Sequence, residues 1–439
     1  LIFRSAALKT LRTYFGSETT PLLLKEIKNS DAAYRNAVLI YAADGMTAGE
    51  AGKWIVVMKK APAETKVQII PMLAKRTEPA ILSKCILPSL NDDSQEVRIA
   101  AIHALAVNQK GKAIPVLLKQ LEKASQKEEL AAVHEALLQV CSKDNCNLLA
   151  EKLDQATGEK AVVLLETISA RRATSYFSKA LNLCSSGDAE LKGAAFLSLE
   201  NMATPENMND LLVLLQKTEK KNEVKAVQQA VIAVLQAGTS KQELVLQQMN
   251  VVGMKEKLLP VLPFVNDSKA FSTVTEIIKK GAAGEKQAAY EALLNWKNAD
   301  AIPYLYSIIE KGEFAASREK SFSVYLQQVM KSHFPDDQKL LLVRKLMPVS
   351  QSNKEKSQLI QAAGSIKTFL SLVFVAEYLD DEELSDPAAQ AAMKIMLPTP
   401  GEDNALQGSF VRTVAGKVME KISGPDSQYL KIDIHEFLE

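Results

Sequence analysis

The chain has 439 residues, with 53 Lys and Arg against 52 Asp and Glu and a formal net charge of +1. That balance argues against a dedicated nucleic-acid binder, because non-specific phosphate binding rests on a basic excess. With 47% hydrophobic but only 6% aromatic residues, and 18 Gly and 16 Pro, the composition favours packed helices. A sandwich or barrel would need many turn residues and β-branched alternation.

Along the chain, one pattern recurs. Residues 4–11 (RSAALKTL) place a base before Ala at +2 and +3 and Leu at +7. Residues 31–40 (DAAYRNAVLI) and 93–105 (DSQEVRIAAIHAL) share the shape. The basic position continues as Arg4, Arg35, Lys66, Arg98, Leu130, Lys160, Lys192, Lys225, Lys257, Lys286, Lys320, Lys356 and Gln390. Eleven of these thirteen are basic, and the step stays between 29 and 36 residues. A fixed period of this size marks a repeat architecture. Each period predicts two helices. The first is apolar at helical spacing, as in residues 113–124, often with a proline in its first turn such as Pro115 or Pro303. A turn rich in Asp, Asn, Ser or Gly comes next, as at 91–94 and 185–188, and caps the second helix, which carries the base. One pair cannot bury its own apolar faces, so the pairs must stack.

Three stretches depart from the pattern. Residues 240–267 lack the Ala and Leu positions and put Pro260 and Pro263 where a second helix belongs, which predicts a bend near 250–265. Residues 347–357 are overlong. After the helix expected at 411–422, Gly424-Pro425 ends the helical register. Residues 426–439 read as a short extended segment with a helical turn. The longest apolar run, 369–379, has 11 residues and includes Glu377, too short to span a bilayer. The start at Leu1 falls halfway through a repeat, as in a piece of a longer protein.

The turn Asp followed four or five residues later by a base (Asp31 and Arg35, Asp93 and Arg98, Asp188 and Lys192) resembles the short-period HEAT-repeat family, over nearly the whole chain. The resemblance implies an all-α superhelix of about 12–13 stacked helix pairs over residues 1–424. In it, these acids and bases would form a ladder linking adjacent repeats. Residues 425–439 resemble a linker that joins such helical regions to a 3-keto-disaccharide hydrolase domain in bacterial proteins. That likeness would imply a β-sandwich domain on the same polypeptide and a periplasmic or otherwise exported location.

The residues show no constellation for catalysis, no cofactor motif and no metal-ligand spacing. His103 and His134 are one repeat apart, but aligning Glu135–Leu138 with Glu291–Leu294 puts them one helical position, or 100°, out of register. Cys85, Cys141, Cys146 and Cys184 fit no zinc pattern. Cys141 and Cys146 flank a predicted turn and either pair in an oxidising compartment or remain two idle thiols. The densest aromatic group is Tyr290, Trp296, Tyr304 and Tyr306, with Tyr325 in the next repeat. Most of it is expected between repeats, with a minority on a binding groove. Trp54 and Trp296 also raise comparison with HEAT-like DNA glycosylases, which the missing basic excess disfavours.

The expected function is a non-catalytic scaffold that binds a protein or other extended ligand along a concave face lined by the second helices. The alternative is the helical accessory region of a larger carbohydrate-active hydrolase. Either way the small residues of the second helices set their approach. Replacing Ala100 or Ala194 with a bulky residue should therefore cost about 1–3 kcal/mol. Thermal melting of the variants checks this, and unchanged melting would place the second helices in a different register.

Overall fold

The computed structural model describes residues 2–238, 241–265, 267–399, 401–422 and 427–438. Every regular element among them is helical. The chain divides into two compact units, Leu1–Thr239 and Ser240–Glu439.

The first unit opens with the helix Ile2–Phe15 and continues as helix pairs. Its first-row helices are Thr20–Glu26, Ala48–Lys60, residues 79–89, Ile114–Lys123, Cys146–Leu153, Phe177–Leu183 and Met208–Lys217. Its second row is Ala32–Ala43, Ala63–Ala74, Gln95–Gln109, Lys127–Val140, Gly158–Ala170, Ala189–Met202 and Lys221–Gln236. Each second-row helix packs on its own partner and on its second-row neighbours, beginning from Ile2–Phe15. Small residues line these contacts: Ala101, Ala136, Ala161, Ala195 and Ala230 are completely buried.

Local chemistry explains where these helices start. The Asp31 side chain accepts from Tyr34 N–H, and Asp188 accepts from Glu190 and Leu191 N–H. Ser94 caps Gln95–Gln109, while Thr47 and Glu50 form a reciprocal capping box. Pro115 and Pro303 stand in the first turn of their helices, as expected. Residues 79–89 contain a proline at a less tolerant place. Pro88 lacks an N–H, and its ring would collide with the carbonyl four residues earlier in an α-helix. The backbone widens over Leu82–Ile86 into a π-turn, with Leu87 N–H bonded to Leu82 O.

The second unit repeats the plan. Its first-row helices are Gln242–Gln248, Ser268–Lys280, Ile302–Lys311, Asp336–Lys345, Phe369–Ala376 and Ser409–Lys421. Its second row comprises residues 255–264, Ala283–Leu294, Arg318–Lys331, Asn353–Gly364, Ser385–Met396 and Ser427–Leu438. At 255–264 the helix Lys255–Leu258 gives way to a 3-10 segment, Leu259–Phe264, that contains Pro260 and Pro263. The prolines remove two donors that an α-helix would use. The overlong stretch is taken up by a 3-10 turn, Met347–Val349, before Ser352 caps the next helix.

All thirteen recurrent positions, from Arg4 to Gln390, lie in the second row or in the helix that opens it. The tail differs from expectation. Residues 427–438 form a helix that packs on Ser409–Lys421, with Ile434 fully buried. The alternating Tyr, Leu and Ile positions suggest an extended segment, but Leu430, Ile434 and Leu438 also fall at i, i+4, i+8 on one helical face. The boundary expected at Gly424-Pro425 lies outside the described residues.

A close helix approach in the second unit has a specific cause. Gly364 ends Asn353–Gly364 against Ser385–Met396, where an added Cβ would meet Ala391 Cβ at 2.8 Å and Ala391 Cα at 2.9 Å. Backbone cannot yield as a side-chain tip can. Gly364→Ala is therefore expected to destabilise the second unit by about 1–3 kcal/mol despite alanine's better helix propensity. Chemical denaturation would check this, and a stabilised variant would contradict the packing.

Candidate binding face

The electrostatics of the second row begin with the bases of the repeat. Arg35, 3% exposed, donates from Nη1 to the carbonyls of Asn29 and Ser30 at 2.9 and 3.0 Å. The same guanidinium reaches the next second-row helix, bonding Gln68 Oε1 at 2.7 Å and Glu64. Arg98 repeats the arrangement: Nη1 donates to the Asp92 and Asp93 carbonyls at 2.8 and 3.0 Å, and Nε to Glu129. Lys192 pairs with Glu223 at 3.0 Å and Lys255 with Glu285 at 3.1 Å. Arg318 holds Glu355 at 2.9 Å and the Val349 carbonyl at 2.6 Å. Lys66 bonds Asp92 at 2.7 Å and keeps that carboxyl below its usual range.

The ladder thus runs through residues the repeat pattern alone does not assign. Its acids are Glu64, Glu129, Glu223, Glu285 and Glu355, each in the first turn of the following second-row helix, where the helix dipole also favours a negative charge. Asp31 and Asp188 cap their own helices instead, and Asp93 enters through its backbone carbonyl. In two repeats the base moves by two residues, so Lys255 and Arg318 take the places expected for Lys257 and Lys320. The sequence signal for these acids is a glutamate one or two residues before the recurrent position.

A different set of side chains faces outward from the second row of the first unit. Five residues after Arg35, Lys66, Arg98, Leu130 and Lys192 come Ile40, Pro71, His103, Glu135 and Leu197. Glu166 stands six residues after Lys160. Ile40 and Leu197 are each 68% exposed. His103 Nε2 lies 3.9 Å from Glu135 Oε2 on the neighbouring helix. These residues therefore form a ridge across successive helices, apolar at Ile40 and Leu197 and acidic at Glu135 and Glu166. His134 sits one position before Glu135, with Nε2 buried without a hydrogen-bond partner and 3.8 Å from Glu166 Oε2. The two histidines each point to the acid of the next helix rather than to each other. Among the described residues no cluster of three or more His, Cys, Asp and Glu could hold a metal ion.

Three of the five aromatics singled out in the second unit are interior. Tyr290 and Tyr325 are completely buried and Trp296 is 6% exposed. The Tyr290 ring stacks on Phe314 at 4.1 Å, and its hydroxyl meets Ser321. Tyr325 donates to the Leu342 carbonyl at 3.0 Å, and burial pushes its phenol upward. Trp296 meets the edge of Phe271 at 5.1 Å. Tyr304 and Tyr306 are half-buried on the first-row helix Ile302–Lys311. Tyr304 contacts Phe271 on the preceding first-row helix, and Tyr306 lies under Lys345 of the following one at 3.9 Å. Neither lies on the second row, where a binding groove was expected. Trp54 is likewise core, at 1% exposed.

No family model matches the sequence, and no curated protein matches it. Solved structures do match the fold. The chain is similar to the karyopherin Kap121p bound to Pho4p, with a TM-score of 0.60 and 14% identity over 89% of this chain and 51% of that one. It is also similar to a Kap121p mutant (TM-score 0.58, 11% identity, 100% of this chain and 55% of that one). A third is Kap121p bound to the extreme C-terminus of the protein phosphatase Cdc14p (0.51, 14%, 99% and 51%). The chain spans about half the length of these structures. Identities this low define the fold, a HEAT-repeat α-solenoid, and nothing beyond it. No helix among the described residues is long and apolar enough to cross a membrane.

One buried ion pair anchors the opening of the first unit. Arg12 Nη1 bonds Glu50 Oε1 at 2.7 Å, with both side chains 5% exposed. Arg12 also donates to the Asp44 carbonyl at 2.7 Å and to the Gly16 carbonyl at 2.9 Å. Burial raises the Glu50 carboxyl, but bonds from Arg12, Thr20 and Thr47 outweigh it and hold it at about 2, against 4.5 for a free carboxyl. The folded state therefore binds this proton less readily than the unfolded chain. Glu50 contributes stability above pH 4.5, and that contribution fades as the pH falls toward 2. Glu50→Gln should destabilise the first unit by about 3 kcal/mol at pH 7 by leaving Arg12 buried and unpaired. Its stability should also fall less steeply with acid than that of the parent. Denaturation curves between pH 7 and 2 check both, and parallel acid limbs would remove Glu50 from the balance.

Proposed function

We propose that this chain is a non-catalytic protein-binding scaffold that takes an extended segment of a partner protein along the second-row ridge of its first unit. The observation that carries this reading is the ridge itself. Ile40 and Leu197 leave large apolar side chains in water at equivalent places on two helices, with Glu135 and Glu166 between them. Single exposed apolar side chains are ordinary on a protein surface, and what sets these two apart is their recurrence at one register position on the same row. The complementary segment carries an apolar residue at each end and a Lys or Arg in the middle. The fold agrees, since the similar Kap121p structures include complexes with Pho4p and with the extreme C-terminus of Cdc14p.

The accessory-region alternative rests on the tail, which is helical and packs as the second member of a pair. No observation in the chain favours carbohydrate binding over protein binding.

The test compares two double variants as bait against lysate of the source organism. Ile40→Glu with Leu197→Glu alters the ridge. Val56→Glu with Val213→Glu alters exposed apolar residues of the first row. Both should melt like the parent, since all four side chains are exposed. Capture of a specific protein should fall about tenfold or more for the ridge variant only, as expected for loss of two apolar anchors. Loss confined to the first-row variant would move the binding face to the other row.

A further inference from the structure

The turn between Lys127–Val140 and Cys146–Leu153 holds two cysteines in a particular arrangement. Cys141 ends the first of these helices and Cys146 begins the second. Their sulfurs are 4.0 Å apart, and each thiol lies 3.4 Å from the same acceptor, the Ser142 carbonyl. Both cysteines are buried, whereas Ser142, Lys143 and Asp144 above them are exposed. The short turn is tied by the Asn145 side chain, which accepts from Ser142 N–H at 3.2 Å.

A positive group stands beside the pair. Arg171, at the end of Gly158–Ala170, donates from Nη2 to the Leu138 carbonyl, and its buried Nε has no hydrogen-bond partner. The hydrogen bond between the two sulfurs, with Arg171 and Lys143 nearby, lowers the Cys146 thiol while that of Cys141 is raised. Burial pushes the other two thiols, Cys85 and Cys184, up to about 12. The thiolate is the reactive form, so Cys146 is the sulfur set apart for attack.

We propose that Cys141 and Cys146 are a peroxide-sensitive dithiol that closes to a disulfide across the turn joining two consecutive repeats. Hydrogen peroxide is small enough to reach sulfurs beneath a single exposed turn. The Cys146 thiolate attacks one peroxide oxygen, the O–O bond breaks, and hydroxide leaves to give a sulfenic acid. Cys141 sulfur then attacks Cys146 sulfur, and the sulfenic hydroxyl departs with the Cys141 proton as water. Two thiols lose two electrons and two protons, and peroxide becomes two waters. The sulfurs must close from 4.0 Å to a bond of about 2.05 Å, which side-chain rotation and a small shift of the turn provide. The ring so closed is short and restricts little of the unfolded chain, so the bond acts as a reversible link rather than a strong stabiliser.

The sequence offers a direct readout. Lys143 lies between the cysteines, so trypsin separates Glu128–Lys143 from Asp144–Lys152. The intact chain is treated with hydrogen peroxide, alkylated with N-ethylmaleimide in denaturant, digested and analysed by mass spectrometry. The expected product is the two peptides joined and lighter by two hydrogens than their sum, separable by dithiothreitol, with Cys85 and Cys184 still alkylated. In Cys141→Ser, Cys146 should be captured as a sulfenic acid by dimedone. Recovery of both peptides separately alkylated after peroxide would overturn the proposal, as would linkage of Cys146 to Cys85 or Cys184. Sulfinic acid at Cys146 in the parent chain, without the linked pair, would also overturn it.

Discussion

A base on one second-row helix, reaching a glutamate in the first turn of the next, fixes how successive repeats meet. Arg35 and Arg98 satisfy turn carbonyls of their own repeat and Arg318 the Ile309 carbonyl of its partner helix, and each then crosses to Glu64, Glu129 or Glu355. The guanidinium is suited to this because its donors fan out in one plane and can serve two backbones at once. Half-buried pairs of this kind need full satisfaction to be favourable, and here the remaining donors are used on turn carbonyls. Between the pairs, alanines let the helices come close enough for Leu, Ile and Val to fill the space from the first row. Stability in such a stack is a sum of neighbour contacts, so each crossing bond acts locally on the interface it spans.

Much of this could be read from the sequence, for a physical reason. A base followed by Ala, Ala and Leu must recur wherever a helix has to meet equivalent helices on both sides. That periodicity located the second-row helices as far as Ser385–Met396, including the proline-broken one at 255–264, but not the last, Ser427–Leu438. The partners of the bases were harder. A carboxylate one or two positions before the recurrent base looks like ordinary helix-start chemistry, and only the stacking shows that Glu129 or Glu355 also serves the repeat before it. The aromatics were legible only as a group. Most were expected between repeats, as Tyr290, Trp296 and Tyr325 are, but which ring lies in or out depends on the neighbouring repeat. Phe271 and Phe314 cover two of them. Residues 427–438 satisfy both a period of two and a period of four, and packing against Ser409–Lys421 decides between them.

The two rows of the first unit carry different duties. The second row holds the ladder on one flank of each helix and presents Ile40, Pro71, His103, Glu135 and Leu197 on the outward flank. Because both sets sit on the same short helices, the spacing of the ridge is inherited from the spacing of the ladder. Pro71 illustrates how this constrains sequence: it interrupts the hydrogen bonding of Ala63–Ala74 and is exposed, while Ile69, Ile70 and Leu73 around it stay fully buried.

The widened turn at Leu82–Ile86 has an evolutionary consequence. A π-turn accommodates one residue more than an α-turn, so a single-residue insertion can be absorbed inside a helix without displacing the next one. Cys85 and Ile86 remain completely buried within it, and Ser89 reaches back to the Cys85 carbonyl at 2.8 Å. It lies in the first row, away from the crossing bonds, where a change of length does not disturb the matching of bases to acids. Insertions and deletions can therefore accumulate in one row while selection holds the other to its spacing, and a lineage of such arrays can diverge far in sequence yet keep a recognisable stack.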